Sequence, residues 1–176
     1  MIETRTHRRV HRNRKKRRIP LSKLHTSEVV RTVVAHPRRL AELINMLDDR
    51  DRSLRDRAAK TLARLSESHP GRLIRVVERV REALVDDSAY VRWHLVYTLG
   101  RIGSHFPLGA SRFLQDLSAR LDDENRIVRI LASRALNTLA VKKPRMVEEV
   151  FESTKRVVPA SLARILRDAG PRSKSS

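Results

Sequence analysis

The sequence predicts an all-α protein, an α-α superhelix of about four helical pairs. The main observation is a pattern in residues 46–144 that occurs three times at a spacing of 37 residues. A fixed period of about 20 to 50 residues is typical of a solenoid, because each unit exposes an apolar face that only a neighbouring unit covers. In addition, aromatic residues make up 3% of the chain and glycines number five, so the core must consist of the aliphatic residues that helices favour.

Within each unit the pattern predicts a helix, a short turn and a second helix. The positions that keep their character in all three units are Leu47, Leu84 and Leu121; Asp49, Asp86 and Asp123; Leu54, Val91 and Val128; Arg55, Arg92 and Arg129; Leu62, Leu99 and Leu136; and Pro70, Pro107 and Pro144. The second helices are predicted over residues 53–66, 90–103 and 127–141. Each has an apolar stripe that should face inward.

The segments before and after the repeats are also predicted to be helical. Thr26 and Ser27 are predicted to cap a first helix, which Pro37 ends. Pro144 opens a further helix. A last helix is predicted over residues 160–168, with Gly170 closing it. This last helix does not keep the period, so we expect it to cap the solenoid.

Composition excludes several classes of protein and site. The chain of 176 residues has the length of one ordinary domain. It contains no cysteine, which excludes disulfides and Cys-based metal sites. No apolar run approaches the roughly 20 residues that span a membrane, and the N-terminus lacks the apolar stretch of a signal peptide. We therefore expect an intracellular protein without a membrane partner, cytoplasmic or, in a eukaryote, nuclear.

The net charge of +19 is unevenly distributed along the chain. Residues 1–24 contain ten Lys and Arg against Glu3 alone, whereas residues 25–170 contain 27 against 19 acidic residues. Like-charge repulsion and the lack of apolar residues predict that 1–24 is a disordered basic arm. Residues 25–170 form the repeat domain, and 171–176 form a disordered polar tail. An excess of this size predicts an anionic partner.

In each unit an apolar residue is followed by arginine, with an aspartate six positions before the arginine, as in Val91-Arg92 with Asp86. This pattern, over about residues 37–158, resembles the HEAT repeat. The resemblance implies an α-solenoid scaffold in which the aspartate bonds the arginine of its own or an adjacent unit. Since these residues recur in every unit, they should serve the shared architecture, and we leave them out of the candidate site.

The candidate site lies on the outward face of the second helices, which lines the concave side of a HEAT array. Residues that are 37 positions apart should lie side by side on neighbouring helices. The three groups are Arg57 with His94 and Leu131, Lys60 with Tyr97 and Arg134, and Arg64 with Arg101 and Thr138. Such a basic ridge suits a phosphate backbone, with Tyr97 as a stacking surface. The alternative is that these are the solvated charges that any such helix carries. Trp93 is either part of this contact surface or fills the junction between units two and three.

The basic arm is the second candidate site. Its cations are Arg8, Arg9, Arg12, Arg14, Lys15, Lys16, Arg17 and Arg18. Together they would neutralise many phosphates, with little preference for base sequence. The alternatives are a nuclear import signal and an anchor on anionic lipid; the lack of an amphipathic apolar face argues against the lipid.

These features predict a non-enzymatic adaptor that binds nucleic acid, either RNA in a ribonucleoprotein or DNA, without cofactor or metal. The alternative is a scaffold whose concave face grips an acidic protein, with the arm serving localisation. A third hypothesis is a DNA glycosylase, because the alkylpurine glycosylases of the AlkD-like group resemble HEAT solenoids and rely on tryptophans with an aspartate and an arginine in a basic groove. Here only Trp93 and Asp56 approach that pattern.

Overall fold

The computed structural model describes residues 18–169. In this range the structure is built from helices and short 3-10 turns, without a strand. The α-helices are α1 (Thr26–Ala35), α2 (Leu40–Asn45), α3 (Arg52–Ser68), α4 (Val77–Glu82), α5 (Ala89–His105), α6 (Leu114–Ala119), α7 (Arg126–Lys142), α8 (Pro144–Thr154) and α9 (Ala160–Ala169). The predicted all-α class is confirmed.

The three long helices α3, α5 and α7 are the predicted second helices of the repeats. Each begins one residue before its predicted start and contains 17 residues. Each also begins with a polar N-cap, because the side chains of Asp51, Ser88 and Asn125 accept a hydrogen bond from a backbone N–H of the first turn. The caps explain why the three helix starts keep the 37-residue spacing.

The first helices of the repeats are short and lie between 3-10 turns. The turns before α2, α4 and α6 are Pro37–Arg39, Pro70–Val76 and Pro107–Arg112, and those after them are Met46–Asp48, Ala83–Val85 and Arg120–Asp122. Each entry turn starts at a proline, which lacks an N–H and fits the unbonded start of a helix. Pro144 is the exception, since α8 continues from it as an 11-residue α-helix.

The predicted start of α1 is wrong by one residue. Thr26 and Ser27 lie inside the helix, and His25 is the N-cap. The backbone N–H of His25 donates to Oε2 of Glu28 at 2.9 Å. A glutamate in the first turn of the helix therefore satisfies the backbone donor of the N-cap residue. The carboxylate of Glu28 also lies near the positive end of the helix, where a negative charge is favourable.

The helices form two layers. The inner layer contains α1, α3, α5, α7 and α9 side by side, and the outer layer contains α2, α4, α6 and α8. In this arrangement α9 packs against α7 as the inner helix of a fourth pair. One continuous apolar cluster, from Leu21 to Leu166, fills the space between the layers. Among the described residues, no helix has the length and apolar content needed to cross a membrane.

Residues 18–24, the end of the predicted arm, pack against α2. Leu21 is fully buried, and its N–H donates to Oε1 of Glu42 at 2.7 Å. The Nη2 atom of Arg39 donates to the carbonyl of Ile19 at 2.7 Å. The rest of the predicted arm, together with Gly170 and the predicted tail, lies outside the described residues.

Candidate binding site on the inner face

An ion-pair ladder joins neighbouring units through the loops that lead into α5 and α7. The Nε atom of Arg55 donates to Oδ2 of Asp86 at 2.7 Å. One unit further on, Arg92 donates from Nε and Nη2 to the two carboxylate oxygens of Asp123, both at 2.9 Å. Each of these arginines bonds the aspartate of the next unit, so the ladder implied by the HEAT resemblance is present.

The ladder holds its buried charges in the ionised form. Burial raises the pKa of Asp123, but hydrogen bonds from Arg92 and from the backbone N–H of Asn125 oppose it. The charges of Arg92 and Arg120 act in the same direction, and the pKa of Asp123 lies below its ordinary value of 3.8. The hydrogen bond to Asp123 raises the pKa of Arg92. These charges therefore belong to the architecture and not to a ligand site on the inner helices.

The free face of α3, α5 and α7, here called the inner face, contains a groove lined by Tyr97, Arg101 and Arg134. Its volume is ≈ 170 Å³, and Gly100 lies among the residues that line it. A Cβ atom at Gly100 would lie 3.0 Å from Cβ of Ala135, so the glycine allows α5 and α7 to approach closely. The structure thus brings together three side chains that the 37-residue shift predicts on one ridge.

Lys60 and Arg64 lie on α3, the helix beside α5, and Arg64 is exposed. His94, by contrast, is only 4% exposed, with Nδ1 at 2.7 Å from the carbonyl oxygen of Tyr90. Burial lowers the pKa of His94, and the positive charge of Lys60 lowers it further. The hydrogen bond to the carbonyl of Tyr90 acts in the opposite direction but does not outweigh them. His94 does not fit the contact role predicted for it, because a buried neutral imidazole offers a ligand neither charge nor surface.

Trp93 is half-buried and belongs to an aromatic cluster on α5. Its ring stacks on His94 with centroids 3.5 Å apart, and Tyr90 meets it edge-on at 5.3 Å. The side chain also packs against the apolar core. Trp93 therefore packs against the core and keeps part of its surface accessible.

Arg57 also differs from its predicted role, because its guanidinium has an internal partner. Its Nη2 atom donates to the carbonyl of Ser22, in the segment that precedes α1. The acidic side chains at the edge of the ridge are occupied as well. Glu67 accepts a hydrogen bond from the Tyr97 hydroxyl at 3.1 Å, and Asp56 accepts one from the Ser88 hydroxyl at 2.8 Å. Burial and the bond to Glu67 raise the pKa of Tyr97.

Of the predicted arm cations, only Arg18 lies in the described part of the chain. It is exposed, and its Nη2 atom donates to Oε2 of Glu42 at 3.1 Å. The cations outside the described residues are Arg8, Arg9, Arg12, Arg14, Lys15, Lys16 and Arg17.

Comparison with known families decides what kind of solenoid this is. A family model of HEAT repeats matches residues 40–137, more than half of the chain. The chain belongs to the HEAT-repeat family. The matched region extends from the start of α2 into α7 and so contains the whole ladder. A search of curated protein sequences found no match.

Solved structures of repeat proteins share the fold of this HEAT-repeat protein. An engineered protein is 17% identical with a TM-score of 0.58, and the match covers 81% of this chain and 64% of that one. A designed armadillo repeat protein in complex with the peptide (KR)4 is 16% identical with a TM-score of 0.59, covering 85% and 69%. A computationally designed armadillo repeat protein for modular peptide recognition is 16% identical with a TM-score of 0.61, covering 85% and 69%. At these identities the likeness concerns the fold alone.

Both layers contain cations without an ion-pair partner, and those of the inner face lie on the three neighbouring long helices. In the outer layer Arg79 pairs with Glu82 and Arg81 pairs with Glu78, whereas the exposed Arg75, Arg145 and Lys155 form no ion pair with any residue between 18 and 169. On the inner face Lys60, Arg64, Arg101 and Arg134 form no ion pair with any residue between 18 and 169, and Arg57 has a backbone carbonyl as its partner instead of a carboxylate. The inner face of this HEAT-repeat protein therefore keeps its positive charge available.

Sequence reasoning missed one residue of this HEAT-repeat protein. The repeat pattern groups Arg129 with the ladder arginines, although the unit after it supplies no aspartate at the corresponding position. The signal was present in the sequence, because the last helix does not keep the period. Over the described range, no group of three His, Cys, Asp or Glu side chains is arranged to hold a metal ion.

Proposed function

We propose that this HEAT-repeat protein is a non-enzymatic adaptor that binds nucleic acid through its inner face and its basic arm. The observation that carries the proposal is the group of inner-face cations without an ion-pair partner among residues 18–169: Lys60, Arg64, Arg101 and Arg134. Two of them flank Tyr97 in one groove. Phosphate groups satisfy such cations, and the exposed part of a tyrosine ring offers a stacking surface for a base.

Both RNA in a ribonucleoprotein and DNA fit such a surface, because arginine and lysine contacts to phosphate carry little sequence information. With either ligand, affinity should depend strongly on salt. Each phosphate that a cation neutralises releases condensed counterions. The slope of the logarithm of affinity against the logarithm of salt concentration therefore becomes more negative by about 0.9 per phosphate for duplex and by about 0.7 for single strands. The arm adds its own contacts to this slope.

The test compares matched variants of the full chain on duplex and single-stranded oligonucleotides at salt concentrations from about 50 to 300 mM. The first variant combines Lys60→Ala, Arg101→Ala and Arg134→Ala. The control removes three exposed cations of the outer layer with Arg75→Ala, Arg145→Ala and Lys155→Ala. We expect the inner-face variant to reduce the salt slope by about 2 to 3, and the control to change it much less. Equal effects of the two variants, or a flat salt dependence of the unmodified chain, contradict the proposal.

A protein-binding scaffold is the second candidate, and one observation favours an acidic partner. A designed repeat protein of the same fold is solved with the basic peptide (KR)4. The cationic inner face of this chain favours a ligand of the opposite charge. An acidic protein that binds the inner face and displaces a bound oligonucleotide from it would support this second function.

The glycosylase hypothesis has less support from the structure. Trp93 is half-buried in a stack with His94, and Asp56 accepts a hydrogen bond from Ser88. Neither side chain is arranged around an open basic groove as the resemblance would require. Activity on alkylated duplex DNA that is lost in Trp93→Ala would reverse this judgement.

A further inference from the structure

The three ladder arginines share one pose, which is fixed by the loop that precedes each long helix. The Nη1 atom of Arg55 donates to the carbonyl of Asp49 at 3.0 Å, and that of Arg92 donates to the carbonyl of Asp86 at 2.9 Å. The Nη1 atom of Arg129 makes the same bond to the carbonyl of Asp123 at 2.7 Å. This bond holds the guanidinium of Arg129 in the orientation of the other two, independently of the partners of Nε and Nη2.

In the first two units the Nε and Nη2 atoms of the ladder arginine donate to the carboxylates of two consecutive acidic residues. Arg55 takes Asp86 through Nε and Asp87 through Nη2, at 2.7 and 2.6 Å. Arg92 takes Asp123 through Nε and Nη2 and also Glu124 through Nη2, all at 2.9 Å. The binding unit for a ladder arginine is thus a dipeptide of two acidic residues.

At Arg129 this dipeptide is missing. The ladder aspartate lies two residues before the N-cap of each long helix, as the pairs Asp49 and Asp51, Asp86 and Ser88, and Asp123 and Asn125 show. The helix after Arg129 is α9, which begins at Ala160, so the equivalent position is Val157. Val157 is 91% exposed and carries no charge. Within residues 18–169, Nε and Nη2 of Arg129 have no carboxylate partner.

An open cavity of ≈ 740 Å³ lies where that dipeptide would be. Arg129, Arg134 and Arg156 contribute to its wall, and Arg156 is paired with Asp122. Its apolar lining comes from Leu121, Ile130, Val157 and Pro159. The cavity therefore combines two guanidinium groups that lack an ion-pair partner in the described chain with an apolar seat beside them.

We propose that this cavity binds an acidic peptide segment of a partner protein, in which two consecutive acidic residues follow an apolar residue. The peptide would complete the ladder in trans by giving Arg129 the carboxylates that Arg55 and Arg92 obtain from the next unit. A preset guanidinium loses little conformational freedom on binding, and a paired carboxylate makes strong bidentate hydrogen bonds. The apolar lining favours a peptide over a nucleic-acid phosphate, which would leave that surface uncovered. The cavity shares Arg134 with the inner-face groove, but the inference depends on Arg129, which is not part of the proposed nucleic-acid site.

The probe for the test is a labelled peptide with the sequence of residues 83–89 (ALVDDSA), which is the chain's own ligand for Arg55. The matched peptide has both aspartates replaced by asparagine. Binding to the full chain is measured by fluorescence anisotropy at low salt. We expect the acidic peptide to bind and the asparagine peptide to lose most of its affinity. Arg129→Gln should weaken binding about tenfold to a hundredfold, as for a lost charge-assisted hydrogen bond.

Two further variants make the test decisive. Arg126→Gln removes the same charge from the same helix at an exposed position that does not line the cavity, and it should change binding little. Val157→Asp supplies the missing aspartate in cis, so it should abolish peptide binding while raising the melting temperature. This gain in stability cannot result from misfolding.

Four results would overturn the inference: no binding of the acidic peptide, equal loss in Arg126→Gln and Arg129→Gln, equal binding of the two peptides, or undiminished binding by Val157→Asp. An Arg129→Gln variant that loses oligonucleotide binding and keeps peptide binding would assign the cavity to the polyanion instead. Failure of the peptide to bind would leave the salt dependence measured for the inner face unaffected, so the two proposals fail separately.

Discussion

Replacing Asp123 by asparagine should destabilise the protein more than any other single change in a loop of the solenoid. The side chain of Asp123 is 3% exposed and that of its partner Arg92 is 6% exposed, so the pair is screened from water. Asparagine keeps the shape of the side chain and one acceptor oxygen. It removes from the buried guanidinium of Arg92 the charge of its buried partner, so that the exposed Glu124 is the carboxylate that Arg92 keeps.

The magnitude follows from the partners that remain. Breaking a buried ion pair by removing one charge costs about 3 to 5 kcal/mol. Arg92 keeps the carbonyls of Asp86 and Asp87 and one bond to Glu124, which is 82% exposed. We therefore expect the lower end, about 3 kcal/mol. For a domain of this size that corresponds to a fall in melting temperature of roughly 6 to 12 °C.

The assay is urea denaturation of Asp123→Asn and the unmodified chain, followed by circular dichroism. Asp122→Asn is the matched control, because Asp122 is 76% exposed and pairs with Arg156 at the surface, where an ion pair contributes at most about 1 kcal/mol. A double-mutant cycle with Arg92→Gln measures the coupling of the pair directly. Equal destabilisation by Asp122→Asn and Asp123→Asn would refute the reasoning, since it would show that burial does not strengthen the ladder.

Two further predictions concern the inner layer. Gly100→Ala should destabilise the protein by about 1 kcal/mol in urea denaturation. The new Cβ would lie 3.0 Å from Cβ of Ala135, and this overpacking outweighs the better helix propensity of alanine. Gly109→Ala is the control and should be nearly neutral, because no atom lies within 4 Å of its new Cβ. His94 should make the free energy of unfolding fall as the pH drops from 7 to 5. Burial lowers its folded-state pKa below 6.5, so the unfolded chain binds the proton first as the pH falls. His94→Gln should flatten this dependence, and an unchanged slope would contradict the assignment.

Most of the fold follows from the period, because each long helix must meet the same neighbours as the one before it. The starts of α3, α5 and α7 were predicted to within one residue, since their caps and apolar stripes repeat at 37 residues. The cap of α1 was assigned to the wrong residues, Thr26 and Ser27 instead of His25, because no repeat precedes this helix and its N-terminus depends on a local contact between His25 and Glu28. Local chemistry without a repeated counterpart gives a weaker signal.

The candidate site was predictable as a neighbourhood but not residue by residue. The 37-residue shift brought Tyr97 beside Arg134, and the structure places both in one groove. The same shift could not show that His94 is buried or that Arg57 reaches the carbonyl of Ser22, 35 residues away. A helical face is about 100° wide, so a residue at its edge can turn either to solvent or to the next helix. Packing decides which.

The sequence by itself determined that this protein is a HEAT solenoid with a strong positive charge, because the period and the composition are properties of the chain alone. Only the tertiary structure decided which charges find partners. Arg55, Arg92 and Arg129 each follow an apolar residue, with an aspartate six positions earlier, yet among residues 18–169 Arg55 and Arg92 have carboxylate partners and Arg129 has none. The reason is that each partner comes from the next unit, and α9 brings Val157 to the place where the preceding units bring an aspartate.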